Sequence, residues 1–250
     1  MVAERTRFHN VGLTWAERAA FGGLQAVVSL GGGRPAEFLH GVHRHAAARA
    51  LRYFRSPGWL IDFGCGNGRF VHYFTSKGHH VLGTEITFEM ILSAKRLILS
   101  TKRKSGDVNC HFVVTDGIAI PVANNSICGI WCCAVLRYSL LVDNPCYREI
   151  GAEMFRVLRP GAHVVNCETY VDVDPERFTD PFEEVGFKTR QVLVLNRYRL
   201  FERFWWKQIL LTRWVSDVGV LCAALRANFD SAWRPSRGLR DYLFVWQKPE

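Results

Sequence analysis

Leu60-Ile61-Asp62-Phe63-Gly64-Cys65-Gly66-Asn67-Gly68-Arg69-Phe70 is an apolar strand that ends in an acid and turns through three alternate glycines. Glycines at this spacing let the backbone make a tight strand-to-helix turn and keep side chains from standing between it and a ligand. A nucleotide-like molecule fits such a turn. The dinucleotide fingerprint places its third glycine five residues after the first. Here Gly68 follows Gly64 by four and position 69 is arginine, so a pyrophosphate cofactor is disfavoured.

Outward from that turn the chain alternates between strand and helix. The pattern predicts strands at 59–63, 80–85, 109–114, 127–134 and 162–168, and helices at 68–77, 88–102 and 146–157. Two further helices are expected before the turn, Thr14–Leu30 and Pro35–Phe54, parted by Gly31-Gly32-Gly33, with Thr14 as a cap and Glu17 three residues on. Beyond Gly186-Phe187, strand-like runs return at Gln191–Leu195 and Tyr242–Gln247. Short apolar strands alternating with helices indicate a parallel α/β sheet with right-handed crossovers. Ligands bind such sheets at the carboxyl ends of the strands. The ends are Asp62 to Gly64, Glu85-Ile86, Asp116-Gly117, Ala134 to Tyr138, and Glu168 to Tyr170.

The 250 residues, 48% hydrophobic, suit one substantial domain with additions. We divide them into an N-terminal helical cap (1–58) and a cofactor domain (59–250) carrying a helical insertion (197–240). The longest uncharged stretch, Gly117–Leu136, contains Pro121, Asn124, Asn125 and Ser126, and reads as a turn and a buried strand rather than a membrane span. No clean signal-cleavage site follows the apolar run Phe21–Leu30, so a cytoplasmic location is expected. Eight cysteines show no CxxC pair, which disfavours zinc and fits free thiols in a reducing compartment; no metal is expected. Net charge is +9 but uneven: residues 1–58 carry 8 basic and 3 acidic groups, 59–186 carry 12 and 15, and 187–250 carry 12 and 5. Either the flanks meet something anionic or the arginines are solvated surface.

Asp62-x-Gly64-x-Gly66-x-Gly68, Glu85 after the second strand, Asp116-Gly117 after the third, and Arg156-Val157-Leu158-Arg159-Pro160-Gly161 before the fifth together resemble the class I S-adenosylmethionine-dependent methyltransferases. The resemblance runs from about Trp59 to Phe187, with the last strand also fitting. It implies a Rossmann-like, doubly wound, mostly parallel seven-stranded sheet with N-terminal helices and a helical insertion between the last two strands. It also implies S-adenosyl-L-methionine as cofactor. Glu85 would accept both ribose hydroxyls. The backbone of Gly64, Cys65 and Gly66 would lie against the methionine part, with Asp62 orienting its amino group. Ile86 would cover the adenine, Asp116 beside Gly117 would accept from the exocyclic amine, and the strand end at Cys132-Cys133 would offer backbone contacts. Asn67 and Arg69 read as helix-start and surface residues. Two departures stand out: Asn125-Ser126 replaces the usual acid before the fourth strand, and Arg137-Tyr138 stands where many relatives have Glu-His. No Asn-Pro-Pro-Tyr motif is present, which disfavours methylation of an adenine or amide nitrogen.

A sulfonium methyl is already electrophilic, so alignment and exclusion of water matter more than a base. By position Tyr138 and Glu168 are the candidate proton acceptors, with Tyr170 close behind, and Arg137 would neutralise an acidic acceptor. Arg137 and Tyr138 also read as the start of a surface helix. The histidines read as solvated, although the N-terminal helices often cover the site in this family, which leaves His9, His40 and His43 as candidate bases. Segment 197–229 interleaves Phe201, Phe204, Trp205, Trp206 and Trp214 with Arg199, Arg203, Lys207 and Arg213. It reads as a lid, an interfacial helix touching anionic membrane, or an accessory helix. The expected acceptor is a small, hydrophobic, lipid-, quinone- or polyketide-like molecule. The alternatives are an RNA-directed methyltransferase, against which no separate RNA-binding domain is visible, and a cofactor-binding module without catalysis.

Overall fold

Leu60 and Ile61 are neighbours in sequence, and both are buried, yet they belong to different hydrophobic cores. That split follows from the period of two in a strand, whose successive side chains face opposite ways. It is the mark of a sheet covered on both faces. The same division separates Trp131 from Cys132, Val165 from Val164 and Val245 from Phe244.

A computed structural model describes residues 15–21, 23–27, 33–55, 57–105, 109–141, 146–171, 174–195 and 240–250. Seven strands make one sheet: β1 (Trp59–Phe63), β2 (His80–Glu85), β3 (Cys110–Val114), β4 (Ile127–Cys133), β5 (Leu158–Val171), β6 (Lys188–Leu195) and β7 (Arg240–Gln247). Their order is β3-β2-β1-β4-β5-β7-β6. β1 pairs in parallel with β2 and β4, β2 with β3, and β4 with β5, whereas β7 runs antiparallel to both its neighbours. The chain winds outward from β1 to β3 and then returns to β4, so the crevice between β1 and β4 is where the strand order reverses.

The described helices are α1 (Trp15–Ala19), α2 (Gly23–Val27), α3 (Gly33–Ala50), α4 (Arg69–Thr75), α5 (Phe88–Ser105), α6 (Leu136–Leu141), α7 (Cys146–Val157) and α8 (Glu176–Val185). One face of the sheet is packed by Val42, Ala46, Ala47 and Ala50 of α3 with Phe70, Val71 and Phe74 of α4 and Ile91 of α5. The other is packed by Leu136 of α6, Ile150 and Met154 of α7, and Phe178 and Phe182 of α8. α3 thus contributes to the main core, while the single helix expected over 14–30 is two short ones, α1 and α2.

Three local departures have physical causes. α8 forms despite Pro181, because Phe178 stacks on Phe244 at 4.9 Å and Phe182 on Trp246 at 4.3 Å, and this aromatic burial outweighs one lost helical hydrogen bond. Leu158–Gly161, expected as a turn, extends β5, and Gly161 bonds through its N–H to the Lys248 carbonyl at 2.9 Å. Asn125, standing where an acid is usual, takes φ +52°, and its side-chain oxygen accepts from Lys248 Nζ at 2.7 Å. The aromatic segment 197–229, Thr14, His9 and Cys222 lie outside the described residues, as does the side chain of Tyr170. No helix of the described residues is long and apolar enough to cross a membrane.

Candidate cofactor and acceptor site

A cavity of about 490 Å³ opens at the carboxyl ends of β1, β2, β3 and β4. This lies within the size range of small-molecule and cofactor sites. One part is walled by the glycine turn and acids, the other by α1, α6 and Ile150 of α7.

The turn is held by crowding as much as by conformation. Gly64 and Gly66 adopt φ of +65° and +52°, the left-handed region that side chains resist. A Cβ on Gly64 would come within 2.5 Å of Val135 Cγ2, and one on Gly66 within 2.8 Å of Val27 Cγ1. The bare positions therefore admit protein neighbours, and through Val27 they let α2 close over the turn. Asn67, buried, fixes α2 from the other side by donating through Nδ2 to the Gly23 carbonyl at 2.7 Å.

Glu85 is the second anchor. Its carboxylate accepts the backbone N–H of Gly66 at 2.9 Å, of Ile86 at 2.9 Å and of Thr87 at 3.1 Å, which locks the end of β2 to the glycine turn. Burial raises its pKa, and these three N–H groups pull the other way. The Thr87 side chain hydrogen-bonds the same carboxylate, so its roughly four acceptor sites are all taken within the chain. Holding both hydroxyls of a ribose requires some of these bonds to yield.

Asp62, at the end of β1, is buried and lines the cavity. Its Oδ2 meets no hydrogen-bond partner among the described residues. Burial, then the neighbouring Cys133, pushes its carboxyl up to about 8, with Arg69 opposing. A buried acceptor without a partner is costly unless a ligand supplies the donor. Ile86 and Asp116 also line the cavity, Asp116 exposed and with Oδ1 accepting the Ile118 N–H at 3.1 Å. Gly117 does not line it; its φ of +87° and tight packing on Phe63 shape the turn instead. Cys65 lines it with a thiol that burial keeps protonated. An ammonium opposite Asp62, a ribose beside Glu85 and an adenine by Ile86 and Asp116 match this donor set, so the residues present fit S-adenosylmethionine.

The remaining wall consists of Trp15, Ala16 and Arg18 of α1, Val135, and Tyr138 and Ser139 of α6 with Ile150. Trp15 and Tyr138 meet edge to face at 5.9 Å, and the Arg18 guanidinium stands 4.6 Å from the Trp15 ring centre. Arg18 is buried, and that burial lowers its pKa. Sequence reading missed Trp15 and Arg18, because neither falls on a strand end; the one available signal was their place on a helix expected to cover the site.

Of the candidate proton-handling residues that are described, Tyr138 lines the cavity, whereas Arg137, Glu168, His40 and His43 do not. Arg137 and Glu168 depart from the expected placement. α6 begins at Leu136 and turns Arg137 back onto β5, where its guanidinium donates to the Thr169 carbonyl and to Tyr138 Oη, the latter at 2.9 Å. Glu168 is fully buried under this loop and accepts the Arg137 N–H at 3.3 Å. Burial raises its carboxyl to about 7, with Arg137 opposing. Arg137 and Glu168 thus brace Tyr138 instead of facing the cavity.

Arg69 differs from the surface role expected of it, and His43, expected either solvated or as a candidate base, is buried outside the cavity wall. Arg69 lines the cavity and donates to His40 Nδ1 at 2.9 Å, to His43 Nδ1 at 3.0 Å and to Cys133 Sγ at 3.6 Å. His43 is buried, and its Nε2 lies 3.4 Å from Thr169 Oγ1. Burial first, then the charge of Arg69, lowers His40 to about 3, which leaves it uncharged near neutrality. The reason is topological: α3 and α4 pack on the same face of the sheet, so a residue that starts α4 meets α3 rather than water.

Residues 61–166 match the family model described as a methyltransferase domain. The chain is 28% identical over 131 residues to the malonyl-[acyl-carrier protein] O-methyltransferase of Hamiltonella defensa subsp. Acyrthosiphon pisum (strain 5AT), an alignment covering 51% of this chain and 49% of that protein. The chain therefore spans about half the length of the curated relative it matches. Among solved structures, the geranyl diphosphate C-methyltransferase of Streptomyces coelicolor A3(2), in complex with Mg2+, geranyl diphosphate and S-adenosyl-L-homocysteine, superposes with a TM-score of 0.59 at 13% identity, over 84% of this chain and 80% of that one. The [4+2]-cyclase SpnF superposes with a TM-score of 0.57 at 16% identity, over 82% and 81%. At such identities the likeness concerns the fold.

Proposed function

We propose that this chain, which belongs to the class I S-adenosylmethionine-dependent methyltransferases, methylates a small, largely apolar acceptor bound between α1 and α6. The observation that carries the reading is the continuity of one cavity. Asp62, Glu85 and the glycine turn form one part of its wall, and Trp15, Arg18 and Tyr138 form another. When bound, the cofactor supplies an electrophilic methyl group on sulfur.

The chain's own residues bind, orient and exclude water. Asp62 and Glu85 hold the cofactor's polar ends, and Ile86 covers its base. Trp15 and Val135 offer apolar surface to the acceptor, while Arg18, a buried cation, favours an acceptor that carries an anionic or strongly electron-rich group. Tyr138 Oη already accepts from Arg137, so its own proton is directed elsewhere. It is thereby placed to orient an acceptor oxygen in the cavity. The charged groups nearest to it, Arg18 and Arg137, stabilise negative charge developing there.

Calorimetric titration with S-adenosylhomocysteine tests the cofactor half, with one site expected and binding weakened at least tenfold in Glu85→Gln. Absence of any heat with the intact protein defeats it. The acceptor half is tested by transfer of tritiated methyl groups to a panel of apolar phenols, quinones and acidic lipids. Tyr138→Phe and Trp15→Ala should lower transfer while leaving cofactor affinity within about twofold. If both variants transfer normally, the acceptor lies elsewhere.

A further inference from the structure

Two thiols and a guanidinium meet where α3 and α4 pack on the sheet. Cys133, the last residue of β4, and Cys167 of β5 are direct partners in the parallel register. Their side chains share a face of the sheet, because both belong with the core under α3 and α4. The two sulfurs and a ring nitrogen of His43 lie within 4.8 Å of one another. Cys133 is half-buried and lines the cavity, whereas Cys167 is fully buried behind it. Directly opposite partners on adjacent strands stand at a spacing that a disulfide can bridge.

The surroundings distinguish what this cluster takes. Arg69 places a nitrogen 3.6 Å from Cys133 Sγ and 3.0 Å from His43 Nδ1. Arginine only donates, so His43 Nδ1 accepts and its proton sits on Nε2, facing Thr169. A fixed positive charge at the mouth of the cluster repels a metal cation and stabilises a thiolate. Burial works against ionisation of Cys133, but the hydrogen bond from Cys167, then the His43 ring beside it, and then the charge of Arg69 prevail and hold this thiol well below the usual range. Cys167 moves the other way, kept protonated by its bond to Cys133 and by burial. Of the two thiols, the one that reaches the cavity is thus the one in the nucleophilic state.

We propose that Cys133 and Cys167 form a hydroperoxide-sensitive thiol pair, in which Arg69 activates Cys133 and Cys167 resolves it to a disulfide. In the first step the Cys133 thiolate attacks a peroxide oxygen. The S–O bond forms, the O–O bond breaks, and the departing alkoxide or hydroxide takes a proton from water. Sulfur is oxidised by two electrons and the peroxide is reduced. In the second step Cys167 sulfur attacks Cys133 sulfur, the S–O bond breaks, and the Cys167 proton leaves with the hydroxide as water. Two thiols and one hydroperoxide become one disulfide, one alcohol or water molecule, and one further water. Closing the bond removes the sulfur that Arg69 holds and alters the cavity wall beside Asp62. Oxidation therefore reshapes the site without consuming cofactor.

The test treats the purified chain with equimolar hydrogen peroxide, followed by alkylation and non-reducing peptide mass spectrometry. The expected first product is a peptide linked through Cys167 to the 132–133 pair, reversed by dithiothreitol. The link should be lost in Cys133→Ser and retained in Cys132→Ser, whose sulfur faces the opposite core. At a pH below the parent thiol's pKa, Arg69→Gln should slow its formation by about tenfold, the loss expected when that pKa rises by one unit. Cys167→Ser should leave Cys133 as a sulfenic acid that dimedone traps, which keeps the idea testable if Arg69→Gln fails to fold. The idea is overturned if Cys110 or Cys146 oxidises first, or if the linked peptide forms equally fast in a folded Arg69→Gln. It is also overturned if the protein purifies with a stoichiometric metal ion that these thiols release on alkylation. All of these readouts use the protein without cofactor, so they stand or fall apart from methyl transfer.

Discussion

Asp62 shows how a single buried acid ties stability to ligand binding. In the folded chain it keeps its proton up to about pH 8, whereas an unfolded aspartate releases it near 3.8. Across that window the unfolded state binds fewer protons, so stability falls as pH rises from about 4 to about 8. Asp62→Asn removes the titration. In urea melts without cofactor, the variant should gain on the parent steadily between pH 5 and pH 8, and a constant difference would show that Asp62 is ionised throughout. Binding should respond in the opposite sense. A cationic ammonium needs the ionised carboxylate, so affinity for S-adenosylhomocysteine should climb by up to about tenfold per pH unit below pH 8 and then level off. Asp62→Asn should flatten that profile and weaken binding by about 10–100-fold at pH 8, the loss of one charge-assisted hydrogen bond. A pH-independent affinity in the parent would place the cofactor's amino group elsewhere.

At the scale of elements, the connection between β3 and β4 hangs on Arg156 of α7. Its guanidinium donates to the carbonyls of Ile120 and Val122 and to the Glu153 carboxylate, while Glu153 accepts the Ile120 N–H at 2.6 Å. Glu153 is buried, and the hydrogen bond from Arg156 is the largest influence holding its carboxyl low. Arg156→Ala removes the Arg156 donors from that acid and from two carbonyls and should cost about 2–3 kcal/mol in equilibrium unfolding, discounted for the partial exposure of Arg156. Adding Glu153→Gln should recover part of the loss; full additivity of the two changes would mean that they act independently. Arg156 illustrates what sequence alone conveys. The run 156–161 identifies the element before β5, and β1, β2 and α7 fall where hydrophobic period and glycine punctuation put them. α6 shows only as the helix start read at Arg137-Tyr138, since six residues have too few turns to display a period, and α8 escapes notice because Pro181 argues against a helix that tertiary stacking nevertheless sustains. At the site, residues of the strand ends were legible because topology dictates where they go. Arg69, Trp15 and Arg18 were not, because their roles arise from helices packing across one another, which no local pattern encodes.

Across the whole molecule, one side of the cavity is built by the sheet and the other by two short helices. α1 and α2 contribute Trp15, Arg18 and Val27 to the wall, but Ala26 and Arg18 are their only fully sheltered side chains. The β5-β7-β6 side of the sheet, by contrast, is pinned by Phe244, Trp246 and Phe182 stacked in the core. Free energy of local opening follows such contact density, so α1 and α2 should open far more readily than the strands. A ligand that binds only the closed arrangement shifts both that local equilibrium and global unfolding. At a hundredfold excess over its dissociation constant, S-adenosylhomocysteine should stabilise the chain by about 2.7 kcal/mol. For a chain of this length that corresponds to a rise in Tm of about 5–10 °C. In hydrogen exchange, added protection should concentrate in α1, α2 and the turn from Gly64 to Gly68, while β6 and β7 change little. Gly66→Ala, whose added Cβ collides with Val27 in an unfavourable backbone region, should reduce both the Tm shift and the protection of α2. If α2 instead exchanges at the same rate with and without ligand, the two short helices take no part in enclosing the cofactor, and the acceptor wall formed by Trp15 and Arg18 loses its support.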